Sequence, residues 1–384
     1  MTTEIRPRVA TSRRVTAIDG LRGVAALAIL AHHLTLTNSW YDSRIDAVNT
    51  VPLRLFPQRP WTSVQSFFEW SPLHMLYASN AVYIFFVISG LILVGPVRRF
   101  SARAYGTGRL VRLYVPIIAA AILAVIFALA YRSHLHATTS RFLNQHVEHL
   151  QLRQVTGVTW LLDGGVDLNP SLWTMRYEVI FSLILPAILW RMASPIRATL
   201  LRVLAMAGLV AASCIGVATG FSLLTYLPIF FIGVVLSDVP APRRGALWML
   251  LCGVVSMNLV WVMGGFHIRI EPSVYIATTV IGAALVVHSV RAHSVVSKAL
   301  ESRCAQLLGQ RSYSLYLVQV PVILFVWLCI PVSVGLAGQL ERVTITLFMV
   351  VGLTELFYRI VERRAIAWSR ATTTRVSTEH RLAD

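Results

Sequence analysis

Arg22 and His33 stand eleven residues apart within an apolar run from Ala17 to Thr37. On a helix, about 100° per residue leaves roughly 20° between their directions and a rise of about 16 Å between their heights. The two then share one face, three turns apart, while His32 points elsewhere. A run of this length and apolarity crosses a bilayer. An ionisable group inside such a helix belongs in a bundle interior or a wet cavity, because lipid offers it no partner. Two readings stay open at this point. In one, Arg22 snorkels to the headgroups and His33 closes the far end of the helix. In the other, one face carries a cation at one depth and a titratable base at another, and imidazole, with an ordinary pKa of about 6.5, suits general-base work.

The rest of the chain has to hold that first helix. Of its 384 residues, 56% are hydrophobic and only 13% are charged. A soluble domain carries about 25% charged residues, so the composition is that of a membrane protein. Ten apolar segments are long enough to span, at roughly 17–37, 78–96, 111–131, 172–192, 198–217, 222–238, 245–264, 273–290, 312–332 and 343–362. The expected fold class is all-α, a polytopic integral membrane bundle of about ten transmembrane helices. The first run is too long for a cleavable signal and lacks a small-residue cleavage site after it.

The formal charge of +17 suggests nucleic acid until its distribution is examined. Nearly all basic residues are Arg, Lys298 being the only lysine, and they cluster between the apolar runs. One set of connecting segments holds roughly three times as many Arg and Lys as the other. By the positive-inside rule both termini are then cytoplasmic, and no nucleic-acid partner is needed. Residues 1–16 read as a basic cytoplasmic tail, 17–362 as the membrane domain and 363–384 as a second cytoplasmic tail. Arg22 falls near the cytoplasmic face and His33 toward the outer leaflet.

Several further blocks carry polar residues at spanning depth. Phe85-Phe86 is followed by Ser89-Gly90, a small pair that either packs helices closely or leaves room for a ligand. Arg109 and Arg112, three apart on one helical face ahead of Pro116, either bind lipid headgroups or hold phosphates in their forks. Asn169-Pro170-Ser171-Leu172-Trp173 leads to Glu178. Trp173 fits an interfacial aromatic belt. Glu178 lies about a turn into a helix that begins in the outer leaflet, where it needs a partner such as Arg176 or a histidine. Leu308-Gly309 precedes Ser312-Tyr313-Ser314-Leu315-Tyr316-Leu317, which sets Tyr313 and Tyr316 on one face. His288 reads as structural. His134, His136, His146 and His149 sit in a long outer loop without a metal-ligand spacing. Cys214, Cys252, Cys304 and Cys329 show neither metal nor disulfide patterning.

The set of blocks resembles the membrane acyltransferase-3 family. Its members open with an Arg, ten intervening residues and a His on the first helix, here Arg22 and His33 after Asp19-Gly20-Leu21. They carry similar Phe-Phe-x-x-Ser-Gly, Arg-rich, Ser-Leu-Trp and Leu-Gly-x-x-Ser-Tyr-Ser-Leu-Tyr-Leu blocks in the same order. Two departures stand out. Gln319 occupies the place where members commonly have a His, and no Pro follows the terminal Tyr358 to Glu362 motif.

The resemblance implies transfer of an acyl group, acetyl above all, from cytoplasmic acyl-CoA to a hydroxyl. His33 is then catalytic base or acyl carrier, with Arg22 and Glu178 beside it in catalysis. Acyl-CoA acts as co-substrate and no cofactor is bound permanently. Arg109, Arg112, Ser89, Tyr313 and Tyr316 are the residues for the CoA donor, and Asp19, Trp173 and Gln319 those for the acceptor. That acceptor is a carbohydrate, a lipid-linked glycan or a macrolide-type metabolite, in the cell (plasma or inner) membrane. A proton-coupled secondary transporter is the alternative, and it predicts an internal repeat with paired broken helices, which the blocks do not form.

Overall fold

The computed structural model describes residues 12–37, 78–132, 142–143, 157, 168–191, 199–259, 263, 271–292, 294–331 and 336–383. Each of the ten expected segments contains a described helix, and the fold is an all-α bundle with no strand among the described residues. In chain order the helices are α1 (Ser12–Leu36), α2 (Ala78–Arg99), α3 (Ala102–Arg132), α4 (Trp173–Arg191), α5 (Thr199–Thr219) and α6 (Ser222–Ser237). They continue with α7 (Ala246–Met257), α8 (Pro272–Ser289), the short α9 (Val295–Leu300), α10 (Arg303–Cys329), α11 (Leu336–Phe357) and α12 (Arg363–Ala383). Eight described helical stretches are long and apolar enough to cross a membrane, whereas α6 and α7 are shorter apolar helices of 16 and 12 residues. The tail expected after residue 362 is also helical. A single wide π turn, Tyr358–Glu362, joins α11 to α12 without a break.

α10 is the axis of the bundle. Leu317 through Val320 are fully buried, and so are Ser312 and Ser314 on the same helix. A helix buried all round is a core helix, and its polar residues need partners inside the protein. By contrast α5 and α11 expose large apolar side chains, among them Leu200 at 69% and Phe348 at 82%. Such a surface suits lipid chains and makes this a multi-pass membrane protein.

Glycines set how closely the helices approach. A methyl group on Gly309 of α10 would lie 2.1 Å from the Asp19 carbonyl of α1, and one on Gly20 would lie 2.1 Å from the Leu300 carbonyl. Gly90 of α2 and Gly233 of α6 meet in the same way, since a Cβ on either would sit 2.0 Å or less from the facing backbone oxygen. Close packing of α2 on α6 therefore accounts for Gly90. The ends of the helices are tied by side chains. Arg291 donates to the Leu236 and Val239 carbonyls at 2.7 and 2.8 Å, satisfying the C-terminus of α6, and His288 lies 3.3 Å from it, a structural place as expected. Arg98 pairs with Asp238 at 3.4 Å. All four cysteines are free.

Candidate active site

The site is built where α1, α3, α4 and α10 meet. α1 is pinned to α10 at its start: Gln306 Nε2 donates to the Thr16 and Leu300 carbonyls at 2.6 and 2.8 Å. Val24, Leu27 and Ala31 form the exposed side of α1. Arg22 and His33 fall on the opposite side, turned into the bundle, as their spacing requires. Arg22 lies 3.8 Å from Asp19, one turn back on the same helix.

Arg109 and Arg112, alike in sequence, have different surroundings. Arg109 is nearly buried and forms an ion pair with Glu178 of α4, while its Nε donates to Ser182 Oγ at 3.1 Å. Arg112 makes no ion pair among the described residues. Its side chain is exposed, next to the nearly buried Arg109 on the same helical face. Arg22, Arg109, Glu178 and Glu362 all lie within electrostatic reach of it, and Asp19 is in the field of both Arg22 and Arg112. Three guanidinium groups thus face three carboxylates, but only two of the pairs close. Arg112 keeps its fork, the geometry that matches phosphate oxygens, unengaged by any carboxylate.

This corrects the expected surroundings of Glu178, whose partner is Arg109 rather than Arg176 or a histidine. The reason lies in how α4 begins. Pro321 inside α10 has no N–H, so the carbonyl of Leu317, four residues earlier, loses its helical donor. Asn169 Nδ2 supplies the missing bond at 2.9 Å, while Asn169 Oδ1 accepts from the Ser171 N–H at 3.2 Å and caps the 3₁₀ turn Pro170–Leu172. Leu317 stands about 21 Å along α10, near its midpoint. The chain therefore enters α4 at the middle of the bundle, not at its surface, and Glu178 arrives beside the first turns of α3. Trp173 packs among Tyr226, Tyr177 and Phe86, with ring centroids 5.1, 5.9 and 6.4 Å away.

α10 carries a polar series above the arginines. Tyr313 donates to the Leu113 carbonyl at 3.1 Å, in the turn of α3 that Pro116 disturbs. Tyr316 shares a 2.7 Å hydrogen bond with Thr174 and lies 6.1 Å, centroid to centroid, from Phe85. Both hydroxyls are thus held by protein, which suits walls more than ligands. Ser89 is half-buried beside the Gly90 contact. Gln319 is fully buried, and neither atom of its amide has a hydrogen-bond partner among the described residues. α1 and α10 touch at Gly23 and Gly309, and His33 and Gln319 each lie ten residues further on. Where the two helices run side by side in the same direction, these residues reach similar depth, about 15 Å beyond the contact. His33 stacks on Phe142, with centroids 6.4 Å apart and planes 18° apart, and lies beside His32.

Three participants escape a reading by composition and spacing. Ser182 fixes Arg109, and only the pairing of α3 with α4 exposes that role. Asn169 has a signal in the sequence, because Pro321 strands a carbonyl that some donor must reach. Glu362 accepts from the Ser314 N–H at 3.1 Å and from its hydroxyl, from within the π turn. Wide turns of this kind often sit at functional sites. Among the described residues no group of His, Cys, Asp and Glu could hold a metal ion, and the four loop histidines lie outside those residues.

The fold and the site define a multi-pass membrane protein with a cluster of arginines and carboxylates at one end of the bundle and a histidine further along the same face of α1. Residues 15–357 match the acyltransferase-3 family, described as an acyltransferase domain, and the chain belongs to that family. It is similar over a short stretch to the O-acetyltransferase PaAT-1 of Phomopsis amygdali, 36% identical over 74 residues. That stretch is 19% of this chain and 12% of the fungal protein. No solved structure matches.

Proposed function

We propose that this protein is an O-acetyltransferase that takes acetyl-CoA at the cytoplasmic side of the cell membrane. The acetyl group passes to a hydroxyl of a carbohydrate, a lipid-linked glycan or a macrolide-type acceptor. The carrying observation is Arg112, an exposed cation without an ion pair among the described residues, beside Arg109 and in the field of Arg22, on the arginine-rich end that the positive-inside rule makes cytoplasmic. Phosphate groups of the donor lie against Arg112, with Arg22 adding to the field. The donor's arm extends along the polar series of α10 for the rise of about 16 Å that separates Arg22 from His33.

The chemistry then balances at one histidine. His33 takes the proton of the acceptor hydroxyl as its oxygen attacks the thioester carbonyl. The tetrahedral oxyanion collapses, the carbon–sulfur bond breaks, and the thiolate of CoA leaves and picks up a proton. Transfer through an acetylated His33 uses the same groups in two steps. General-base help of this kind contributes about 10²–10⁴-fold, and positioning supplies much of the rest.

The experiment uses full-length protein in detergent with radiolabelled acetyl-CoA. Wild type binds the donor and transfers label to a panel of sugars and macrolides, while His33→Ala binds equally well and transfers at least a hundredfold more slowly. A wild type that neither binds nor consumes acetyl-CoA defeats the proposal and brings the transporter forward.

A further inference from the structure

α12 has two unlike sides. One packs on the start of α3: Ser369 Oγ donates to the Gly108 carbonyl at 2.6 Å, a Cβ on Gly108 would sit 2.1 Å from Thr373 Oγ1, and Ala365 is fully buried. The other side is an exposed arc of about 160° around the helix. It holds Arg363, Arg364, Arg370 and Arg375 together with Trp368, which is 55% exposed. No acidic residue lies between Arg363 and Val376. Arg363, Arg364 and Arg370 make no ion pair among the described residues. Nothing in the acyl transfer just described uses this face.

We propose that the exposed face of α12 binds the anionic phospholipid headgroups of the cytoplasmic leaflet. Position and chemistry both favour that occupant. α12 leaves α11 through one unbroken π turn, so it starts where a spanning helix ends. Arginines directly after a spanning helix meet the negative surface of that leaflet, and a tryptophan among them is an amphipathic ring suited to the headgroup level. The opposite side of the same helix rests on Gly108, next to Arg109, so a lipid clamp on α12 braces the turn of α3 that carries the arginines.

The test is lipid binding by the full chain. Protein is reconstituted in vesicles containing brominated phosphatidylglycerol or brominated phosphatidylcholine, and the share of Trp fluorescence belonging to Trp368 is obtained by difference from Trp368→Phe. Quenching of that share is expected to be stronger with the anionic lipid and to weaken as salt is raised. The triple variant R363Q/R364Q/R370Q, checked for an unchanged melting curve, is expected to lose affinity for phosphatidylglycerol by on the order of a hundredfold, roughly fivefold per arginine. Equal quenching by both lipids, or an unchanged affinity in the triple variant, overturns the proposal. So does displacement of the effect by CoA alone, which would assign these arginines to a soluble phosphate ligand.

Discussion

Arg109 and Arg112 differ by three positions on one helix, and replacing each by Gln should separate them by stability: only the Arg109 variant should melt early. Arg112 holds no carboxylate, so Arg112→Gln leaves the folded protein intact and removes charge-assisted hydrogen bonds to the donor phosphates. Bonds of that type contribute about 1.5–3 kcal/mol, equivalent to roughly 10- to 150-fold in the Kd for acetyl-CoA. Arg109→Gln instead leaves the Glu178 carboxylate without its partner at a side chain only 17% exposed. Breaking a buried pair costs about 3–5 kcal/mol, and partial access to solvent reduces this to about 2 kcal/mol. Its melting temperature falls, and donor affinity falls with it because the cluster around Arg112 loses a positive charge. Glu178→Gln separates the two effects, since it destabilises the fold without weakening donor binding. Calorimetric donor titration and thermal unfolding in the same detergent measure both quantities. An Arg112→Gln protein that binds acetyl-CoA like wild type, or that melts as early as Arg109→Gln, refutes the division of labour argued from the ion pairs.

Three further outcomes follow from the packing. Asn169→Ala strands the Leu317 carbonyl and should lower stability by about 1–3 kcal/mol, but on a Pro321→Ala background, which restores an N–H to α10, the loss should shrink; additive losses would show that Asn169 is not compensating for the proline. Gly309→Ala must push α1 away from α10, so it should reduce both stability and donor binding, whereas Gly106→Ala, with no atom within 4 Å of the new methyl, should leave both near wild type in the same assays. Glu362→Gln keeps an acceptor for Ser314 but removes one carboxylate near Arg112, so donor affinity should rise several-fold; an unchanged or weaker affinity would separate Glu362 from the donor site.

Periodicity and charge made the bundle legible: each apolar run contains a described helix, and the shared face of Arg22 and His33 follows from a spacing of eleven. The arginines of α3 were visible as a pair, but their difference was not, because it depends on where α4 starts. Expecting Arg176 or a histidine beside Glu178 assumes that its helix begins at the end of the bundle. Asn169 breaks that assumption through one bond to a carbonyl 148 residues away. The residues after 362 looked like a tail because no apolar run long enough to span remains there, and only the seat on Gly108 shows one side of that helix committed to α3. Gln319 announced itself as a departure from the family pattern, yet its buried amide without a partner belongs to the structure alone.

The rigidity of α1 bears on which thioesters can react. Arg22 and His33 belong to a single uninterrupted helix, so the interval between them does not change when neighbouring helices shift, and the first helix behaves as a measuring stick. A donor long enough to keep its phosphates at the arginines reaches the imidazole with its thioester, and a shorter arm held by the same phosphates stops below it. A truncated thioester that carries no phosphate, such as acetyl-N-acetylcysteamine, escapes the measurement altogether. It should react slowly, in proportion to its concentration, and with no regard to whether residue 112 is arginine or glutamine.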